Sequence, residues 1–409
     1  MFELYRWCCV RVLKPLLEKR FFSDVSAREA IFATKPAGKK GGRFWFHAAS
    51  VGELEMLIPV IQSWLEAQKD AELILSIFSE SAKSALAAFS EQTRQRIQAR
   101  LIYAGYSPWE GEWLKALTLY QPDRFVTARY EAWPELWAAL GAREIPLSVV
   151  GARSRGSLRT ARRLVRLFGG RLPFFQFFTV DRSEVEGLRA DFPDAEVEEM
   201  GDPRWERVFA RTSQSHPRAR ALTQGLAGLP KPWGVIGSAW IEDLEFLGKD
   251  LFAHPGTVWV VPHQVGTDSI ERFERLFDAW KIPFLKTSRF GGWLEGGGLP
   301  CILVDEMGFL SELYASAEWA FVGGGFGQSI HNLIEPAIHG IPVACGPAGI
   351  TRFPEVELLR EWGQLSILRQ SEDCARWMNQ RAVPEAQRKA WREKALLQRG
   401  AAARIVARF

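Results

Sequence analysis

A glycine-rich turn late in the chain narrows the possible folds more than any other segment. It lies within residues 321–347, where a short apolar run is followed by the turn, by a polar stretch starting at His331 and by a second apolar run. This order predicts strand, turn, helix and strand, the unit of a parallel α/β sheet. The turn could bring backbone N–H groups and a helix N-terminus to an anionic ligand, and Glu335 could bind ribose hydroxyls. The alternative is a turn whose glycines only allow tight packing.

Strand-like and helix-like segments alternate through both halves of the chain, from residue 44 to 151 and again from 233 to 345. This alternation predicts an α/β fold of two Rossmann-like, doubly wound domains facing a central cleft. At 409 residues the chain is also longer than one core usually organises. The expected parts are an N-terminal helix at residues 1–22, a first domain at 40–205, a linker at 206–232, a second domain at 233–385 and a basic C-terminal helix at 386–409.

The composition is that of an ordinary globular protein, with 47% hydrophobic residues, 24% charged residues and a net charge of +4. This charge is too small to indicate nucleic-acid binding, and no nucleic-acid-binding motif is present. The five cysteines have neither a CxxC spacing nor a paired framework, which is typical of a reducing compartment. Because no cluster has metal-ligand spacing, we expect neither a metal nor a cofactor.

Residues 1–22 are rich in aromatic residues and leucine but include five basic and two acidic residues. No uncharged run is long enough for a spanning helix or for a signal peptide. We expect an amphipathic helix that anchors the protein to a membrane surface. The alternative is a helix packed on the protein's own core, and a helix that crosses the bilayer at a tilt also stays open.

Glu53 follows the first predicted strand, at the start of a predicted helix. Open α/β folds bind their ligands at this edge of the sheet, and the helix N-terminus lies close by. Glu53 is therefore well placed to act as a general base. Its spacing from Ser50 also fits a capping box, which would give the carboxylate a structural role.

Residues 153–171 contain seven arginines and no acidic residue, with apolar residues between them. Guanidinium groups bind phosphate in a bidentate manner, so this segment could bind a phosphorylated lipid or an anionic leaflet. A solvated helix face is the alternative. The candidate acceptor-binding or membrane-binding residues are Ser50, Arg153, Arg155, Arg159, Arg162 and Arg163.

Five segments, in the same order along the chain, resemble motifs of the 3-deoxy-D-manno-octulosonate (Kdo) transferases of lipopolysaccharide synthesis. Residues 47–53 match His-Ala-x-Ser-Val-Gly-Glu, and residues 131–134 match Glu-x-Trp-Pro. Residues 305–308 match Asp-x-Met-Gly, and residues 323–336 match a glycine turn followed by His-Asn-x-x-Glu-Pro. Gly346-Pro347 completes the set.

The resemblance implies a GT-B type glycosyltransferase that moves Kdo from CMP-Kdo to a lipid A precursor, lipid IVA, with inversion. It implies a location at the cytoplasmic face of the bacterial inner membrane. It also implies that Glu53 is the general base and that Glu131 and the cation Arg204 support the transition state. The implied contacts to the CMP donor are Gly237, Ser238, Pro262, His263, Met307, Gly308, Phe309, Gly325, Asn332, Leu333, Ile334 and Glu335.

Several positions depart from the family's patterns. Arg129 stands where Glu-Thr-Glu begins, Ala239 interrupts Ser-Thr-His, and Gln264 ends the segment matching Pro-Arg-His-Pro. The family's Gly-Asn-x-Lys reads Gly-Asp-Pro-Arg at residues 201–204. Two alternatives therefore stay open: another GT-B glycosyltransferase or sugar-nucleotide epimerase with a different nucleotide donor, and a non-catalytic lipid-phosphate-binding relative.

Overall fold

The protein forms two compact units. The computed structural model describes residues 26–34, 36, 38–39, 41–68, 70–97, 101–129, 131–212, 217–225, 227–289 and 301–409. The N-terminal unit comprises the described residues up to 207 together with 399–409, and the C-terminal unit comprises those from 208 to 398. The expected membrane-anchoring helix at 1–22 lies outside the described residues. Within the described ranges, no helix has the length and apolar character needed to cross a membrane.

A seven-stranded parallel sheet forms the centre of the N-terminal unit. Its strands are β1 (Arg43–Ala48), β2 (Glu72–Ile77), β3 (Leu101–Tyr106), β4 (Arg124–Ala128), β5 (Leu147–Val150), β6 (Phe175–Thr179) and β7 (Glu196–Glu199). They pair in the order β3-β2-β1-β4-β5-β6-β7. The chain order therefore reverses between β1 and β4, and a crevice for ligands is expected where the carboxyl ends of these two strands meet.

Apolar side chains cover both faces of this sheet, because neighbouring strand residues point to opposite sides. Trp45 and Phe125 belong to one core, whereas the adjacent Phe46 and Val126 belong to a second core. Continuous apolar runs are thus buried on both sides, as in other parallel sheets. The helices of this unit are α1 (Ser26–Ala33), α2 (Val51–Ala67), α3 (Lys83–Ile97), α4 (Trp113–Tyr120), α5 (Pro134–Ala142), α6 (Gly156–Leu167) and α7 (Ser183–Asp191).

The C-terminal unit repeats this architecture with a second seven-stranded parallel sheet. Its strands are β8 (Trp233–Ala239), β9 (Thr257–Pro262), β10 (Phe284–Lys286), β11 (Cys301–Leu303), β12 (Trp319–Val322), β13 (Val343–Cys345) and β14 (Leu365–Ile367). They pair in the order β10-β11-β9-β8-β12-β13-β14. Here the order reverses between β8 and β12, so a second crevice is expected at their carboxyl ends.

Helices and further apolar clusters pack on the second sheet as well. Trp259 and Phe321 are among the fully buried side chains. The two parallel sheets with intervening helices establish a two-domain α/β fold. The helices are α8 (Arg204–Thr212), which crosses the boundary of the units, α9 (Pro217–Gly225), α10 (Ile241–Leu247), α11 (Thr267–Trp280), α12 (Leu310–Ser316), α13 (Ile334–Ala337), α14 (Glu355–Glu361), α15 (Ser371–Gln380) and α16 (Glu385–Leu397).

The end of the chain differs from the single basic helix expected at 386–409. Helix α16 ends at Leu397, and a second helix, α17 (Ala401–Val406), packs against α2 of the N-terminal unit. Gly400 separates them with a left-handed backbone (φ 95°), which ends a helix at little steric cost. Arg404 fixes the new direction by donating to the Met200 carbonyl at 2.8 Å.

The expected linker at 206–232 is also more structured than a flexible connector. The second half of α8 and the whole of α9 lie within it, and the division between the units falls inside α8. Glu206, at the start of the expected linker, accepts hydrogen bonds from the N–H groups of Gly400 (3.0 Å) and Ala402 (2.9 Å). This residue therefore contributes to the N-terminal unit.

We predict that Gly234→Ala destabilises the C-terminal unit. A Cβ at this position of β8 would lie 1.8 Å from the buried ring of Trp319, and that ring has no space into which to move. Overpacking of this kind costs about 1–3 kcal/mol. Urea unfolding should show the loss in wild type and variant samples measured side by side. Gly228→Ala is the matched control, because no atom lies within 4 Å of its added Cβ; equal midpoints for both variants would contradict the prediction.

Candidate active site

Two glutamates lie at the crevice of the N-terminal sheet, because Glu53 follows β1 and Glu131 follows β4. Both side chains are almost buried, each with 7% of its surface exposed. Burial raises the pKa of Glu53 to about 8, and the negative charge of Glu131 adds to this effect. A buried carboxyl with a pKa near neutrality, in a crevice, is a candidate proton acceptor.

The carboxylate of Glu53 also stabilises the start of α2. Its Oε2 accepts hydrogen bonds from the N–H groups of Ala49 (2.6 Å) and Ser50 (3.1 Å). These are the contacts that a glutamate makes three residues into a helix in a capping box. They lower the pKa of Glu53, but by less than burial and Glu131 raise it. The two readings of the sequence are therefore compatible, since these contacts use Oε2 and leave Oε1 for a proton.

Glu131 accepts one hydrogen bond and lies close to a buried histidine. The indole N–H of Trp133 donates to its Oε2, and Nε2 of His47 lies 3.5 Å from the same oxygen. His47 is fully buried, and its Nδ1 lies 3.0 Å from the Ser76 hydroxyl. In the sequence, His47 stood out only as the first residue of the His-Ala-x-Ser-Val-Gly-Glu motif. The signal available in the sequence was a polar residue inside an otherwise apolar strand.

The cation expected at Arg204 is paired within its own turn. Its Nε lies 3.1 and 3.0 Å from the two carboxylate oxygens of Asp202, and both side chains are buried. Although burial opposes it, the Arg204 guanidinium holds the pKa of Asp202 below its usual range. Asp202 stands where the family pattern has an uncharged Asn, so this chain offsets the charge of the matching cation.

Arg129 supplies a second cation at the same edge of the sheet. Its positive charge opposes the rise in the pKa of Glu53, where burial outweighs it, and adds to Arg204 in lowering the pKa of Asp202. Arg129 adopts a left-handed backbone (φ 57°), which is uncommon for a residue other than glycine, and its N–H donates to the Val150 carbonyl at 2.8 Å. Arg129, Arg204 and Asp202 together carry one net positive charge. In the sequence, Arg129 stood out only as a departure from the family pattern.

Several arginines of residues 153–171 stabilise the N-terminal unit itself. Arg153 lies 2.6 Å from Glu184, and Arg159 lies 3.1 Å from Asp191, so both join to helix α7. Arg162 donates to the Asp191 main-chain carbonyl at 2.5 Å. Arg155 is half-buried and its guanidinium lies 3.4 Å from the Ser154 carbonyl. These contacts are structural, whatever else the side chains bind.

Arg163 and Arg166 are exposed on α6 and lie near exposed apolar side chains. Leu167 is 66% exposed and Phe174 is 49% exposed. Arg166 and Phe174 also line a cavity of about 330 Å³ that opens on this side of the unit. The combination of basic and apolar side chains is found where proteins contact lipid headgroups and acyl chains.

In the C-terminal unit, the expected donor residues follow the carboxyl ends of strands. Gly237 and Ser238 end β8, Pro262 ends β9 and Gly325 follows β12. The side chains of Phe309, Leu333 and Ile334 are buried in the core, so only their backbone groups can meet a ligand. The remaining expected residues are Met307, Gly308, His263, Asn332 and Glu335, of which Met307 is 72% exposed.

The glycine-rich turn after β12 is fixed by packing within its own unit. A Cβ on Gly325 would lie 2.5 Å from the backbone of Gly346, so this close approach requires glycine. Gly324 has a left-handed backbone (φ 89°), and its N–H donates to Asp243 Oδ2 at 2.8 Å. Asp243 also accepts from the Trp240 N–H at 2.9 Å, and burial raises its pKa to about 6. Tight packing thus accounts for these glycines without a ligand.

The helix expected after this turn is much shorter than the sequence indicated. Helix α13 begins at Ile334, not at His331, and has four residues. The Asn332 side chain accepts a hydrogen bond from the Ile334 N–H at 3.0 Å and so starts the turn. Glu335 lies in the first turn, 3.6 Å from Arg211. A helix this short has a small dipole, so an anion here would depend on individual N–H groups and cations.

Three rings stack where β8 and β9 end. The His263 ring stacks on Trp240 with 5.0 Å between centroids and on His331 with 4.3 Å between centroids. Burial lowers the pKa of His331 to about 4, and the neighbouring His263 contributes, so the His331 ring is neutral near pH 7. Trp240 was missed as a site residue, because it is separated by 91 positions in the sequence from His331, whose Nε2 lies 3.4 Å from the Trp240 indole nitrogen. Among the described residues, no group of three His, Cys, Asp or Glu side chains could hold a metal ion.

We predict that Glu53→Gln stabilises the folded protein at alkaline pH. Because the pKa of Glu53 is about 8 in the folded protein and 4.5 for a glutamate in water, the folded protein loses stability as pH rises between these values. Glutamine cannot ionise, so the variant avoids this loss and should be more stable by roughly 1–3 kcal/mol at about pH 9. Denaturant unfolding across this pH range gives the comparison. The exposed Glu66→Gln is the matched control; a pH-independent difference at Glu53 would refute the assignment.

Comparison with known proteins finds relatives with one shared description. Residues 23–206 match the model of the family described as 3-deoxy-D-manno-octulosonic-acid transferase (kdotransferase). A 3-deoxy-D-manno-octulosonic acid transferase of Chlamydia muridarum is 25% identical, over 80% of this chain and 75% of the relative. A protein of the same name from Aquifex aeolicus is also 25% identical, over 80% of each chain.

The solved structure of a UDP-GlcNAc 2-epimerase from Neisseria meningitidis, bound to UDP-GlcNAc, is similar in fold. It has a TM-score of 0.55 and 12% identity, and the match covers 86% of this chain and 94% of that chain. Identity this low shows a likeness of fold alone. The family match over the first unit and the two relatives that extend across the second make the chain similar to the 3-deoxy-D-manno-octulosonic acid transferases.

Proposed function

We propose that the protein is a glycosyltransferase of lipopolysaccharide synthesis that transfers Kdo from CMP-Kdo to a lipid A precursor such as lipid IVA. The observation that carries this proposal is Glu53, a buried acid with a pKa of about 8 that follows β1 at the strand-order reversal. Acceptor hydroxyls need a base of this strength to lose a proton near neutral pH. The similarity to 3-deoxy-D-manno-octulosonic acid transferases supports Kdo as the sugar.

In this mechanism Glu53 Oε1 accepts the proton of an acceptor hydroxyl. The hydroxyl oxygen then bonds to the anomeric carbon of Kdo from the face opposite the phosphate, with inversion. The bond from that carbon to the phosphate oxygen breaks, and its electron pair leaves with CMP. Glu131 and the net positive charge of Arg129, Arg204 and Asp202 support the developing charges electrostatically. No step requires a metal.

The C-terminal unit is the donor-binding unit in this proposal. The phosphate binds beside the glycine turn at Gly325, and Glu335 binds ribose hydroxyls. Asn332, Met307 and the ring of His263 complete the contacts at the strand ends. The fixed conformation of the turn supports this assignment, because a segment that is already ordered loses little entropy on binding.

The N-terminal unit is the acceptor-binding unit, with Ser50 beside the base. We propose that the exposed Arg163 and Arg166, with Leu167 and Phe174, bind the anionic headgroups and acyl chains at the inner leaflet of the bacterial inner membrane. The ion-paired Arg153 and Arg159, and Arg162 bound to the Asp191 carbonyl, orient this surface and add positive charge beside it. This location also suits an acceptor whose acyl chains remain in the membrane.

The transfer itself is tested with freshly generated CMP-Kdo and lipid IVA, followed by mass spectrometry of the lipid. The wild type should add one or more Kdo units, and Glu53→Gln should lower the rate on the order of 10²–10⁴-fold, the range for loss of a general base. The wild-type rate should rise with pH, with a midpoint near the Glu53 pKa of about 8, since only the ionised carboxylate accepts a proton. Transfer by Glu53→Gln at the wild-type rate would remove Glu53 from the mechanism.

Nucleotide binding provides the control for that experiment. CMP should bind the wild type and Glu53→Gln with equal affinity in calorimetry, because Glu53 belongs to the acceptor-binding unit in this proposal. UMP and GMP should bind more weakly by at least about tenfold, a difference of about 1.4 kcal/mol. Preference for UMP or GMP together with no Kdo transfer would instead indicate a transferase or epimerase with another donor.

Membrane binding is predicted to depend on the two exposed arginines. Arg163→Gln combined with Arg166→Gln should weaken binding to vesicles containing phosphatidylglycerol by roughly 2 kcal/mol, or about 30-fold, since each surface arginine contributes about 1 kcal/mol. Cosedimentation measures the effect, which should disappear with neutral phosphatidylcholine vesicles. Arg360→Gln with Arg376→Gln, two exposed arginines of the C-terminal unit, is the control. Equal loss in both double variants would contradict a specific surface on α6.

A further inference from the structure

A hydrogen-bonded series of three buried side chains lies beneath Glu131 and has no role in the proposed transfer reaction. It starts at Trp45 on β1, passes through Ser76 on β2 and reaches His47, again on β1. The indole N–H of Trp45 donates to the Ser76 hydroxyl oxygen at 2.8 Å, and that oxygen lies 3.0 Å from His47 Nδ1. All three side chains are buried, with exposures of 0%. An arrangement of this kind is costly inside an apolar core unless its members satisfy one another.

The hydrogen bonds among these three side chains select one tautomer of His47. An indole N–H can only donate, so the Ser76 oxygen accepts from Trp45 and directs its single proton elsewhere. Within the described part of the chain, His47 Nδ1 is the hydrogen-bond acceptor that this hydroxyl reaches. Nδ1 must then be unprotonated, and a neutral ring carries its proton on Nε2. That N–H faces Glu131 Oε2, at an N-to-O distance of 3.5 Å.

The groups around His47 leave Glu131 as the acceptor for this proton. The ring meets Trp113 edge-on, with 5.4 Å between centroids, and lies 6.2 Å from the Phe125 ring. The Thr127 hydroxyl donates to the main-chain carbonyl of His47 at 3.1 Å, not to the ring. His47 Nε2 has no hydrogen-bond partner at normal distance among the described residues, although it is fully buried. Hydrogen bonds in catalytic sites are often long before substrate binds and shorten afterwards.

We propose that His47 is a positioning residue for Glu131, held as the Nε2–H tautomer by Ser76 and Trp45. The inference rests on the proposed function, since it assigns Glu131 a fixed orientation during transfer. His47 does not touch substrate. Its N–H and the indole N–H of Trp133 approach the same oxygen, Glu131 Oε2. The second oxygen, Oε1, is thereby directed to one position beside the charge that develops in the reaction.

The first experiment reads the tautomer directly and needs no activity. Long-range ¹H–¹⁵N correlation NMR of protein labelled at histidine distinguishes protonated from unprotonated ring nitrogens, and the His47→Gln spectrum assigns the His47 signals by difference. We expect a neutral ring with the proton on Nε2 at pH 7. A proton on Nδ1, or on both nitrogens, would overturn the proposal. Ser76→Ala should weaken the preference for Nε2–H, because Nδ1 then loses its donor.

The second experiment compares two amides at position 47 in the transfer reaction. The amide of Gln reaches the position of Nε2 and can still donate to Glu131, whereas the amide of Asn reaches only the position of Nδ1. His47→Asn should lower kcat on the order of 10- to 100-fold, the range for a misplaced catalytic group, with KM for CMP-Kdo unchanged. His47→Gln should stay within about threefold of wild type.

Thermal unfolding separates positioning from a structural effect. Each amide replaces a buried ring, so both variants should lose similar amounts of stability while their kcat values differ. Equal kcat values for the two variants, whether both reduced or both at the wild-type level, would overturn the proposal. If the wild type transferred no Kdo, the proposed function would fail, and the NMR result would still decide the tautomer of His47.

Discussion

The reversal of strand order in each sheet is the constraint on which both candidate sites depend. From β1 the chain builds one side of the first sheet through β2 and β3, and from β4 it builds the other side. The second sheet is divided in the same way between β8 and β12. The loops that follow the two strands at each reversal therefore lead away from each other. The carboxyl ends at the reversal are therefore uncovered by the helices that close the rest of the edge. Glu53 and Glu131 follow the two strands at the first reversal. The stack containing Trp240 and the glycine turn follow the strands at the second.

Burial then gives these residues their chemistry. A carboxyl on the surface would ionise well below neutral pH. Glu53 is buried and lies beside the carboxylate of Glu131, and burial, with a contribution from that charge, raises its pKa to about 8. The same burial makes every nearby polar group depend on a partner. Asp202 therefore binds Arg204, and His47 shares a hydroxyl with the Trp45 indole. In such a network one substitution changes the net charge around its neighbours. Asp202, which replaces the uncharged Asn of the family pattern, offsets the charge of Arg204 in this way.

The sequence predicted most of the strands of both sheets, because long apolar runs bounded by glycine or proline are recognisable without tertiary information. It did not predict β3, β6, β7, β10 or β14, of which β7 (Glu196–Glu199) is mostly acidic, and it did not show that the helix at Ala401–Val406 joins the first unit. It also overestimated the helix at Ile334, since local pattern does not reveal how soon a neighbouring element ends a helix. Edge strands and chain ends depend on partners that are distant in sequence.

The sequence by itself determined the two-domain α/β fold class and the resemblance to Kdo transferases, and it pointed to the carboxylates Glu53 and Glu131, because these depend on local patterns and on motifs in a fixed order. Only the tertiary structure decided which of the candidate site residues are available to bind a ligand or to accept a proton. It paired Arg204 with Asp202, tied Arg153 to the neighbouring helix and buried the side chains of several expected donor residues. The physical reason is that protonation, charge balance and exposure depend on distances and on desolvation. Distances and desolvation depend on which residues folding brings together, and the spacing of residues along the chain does not predict them.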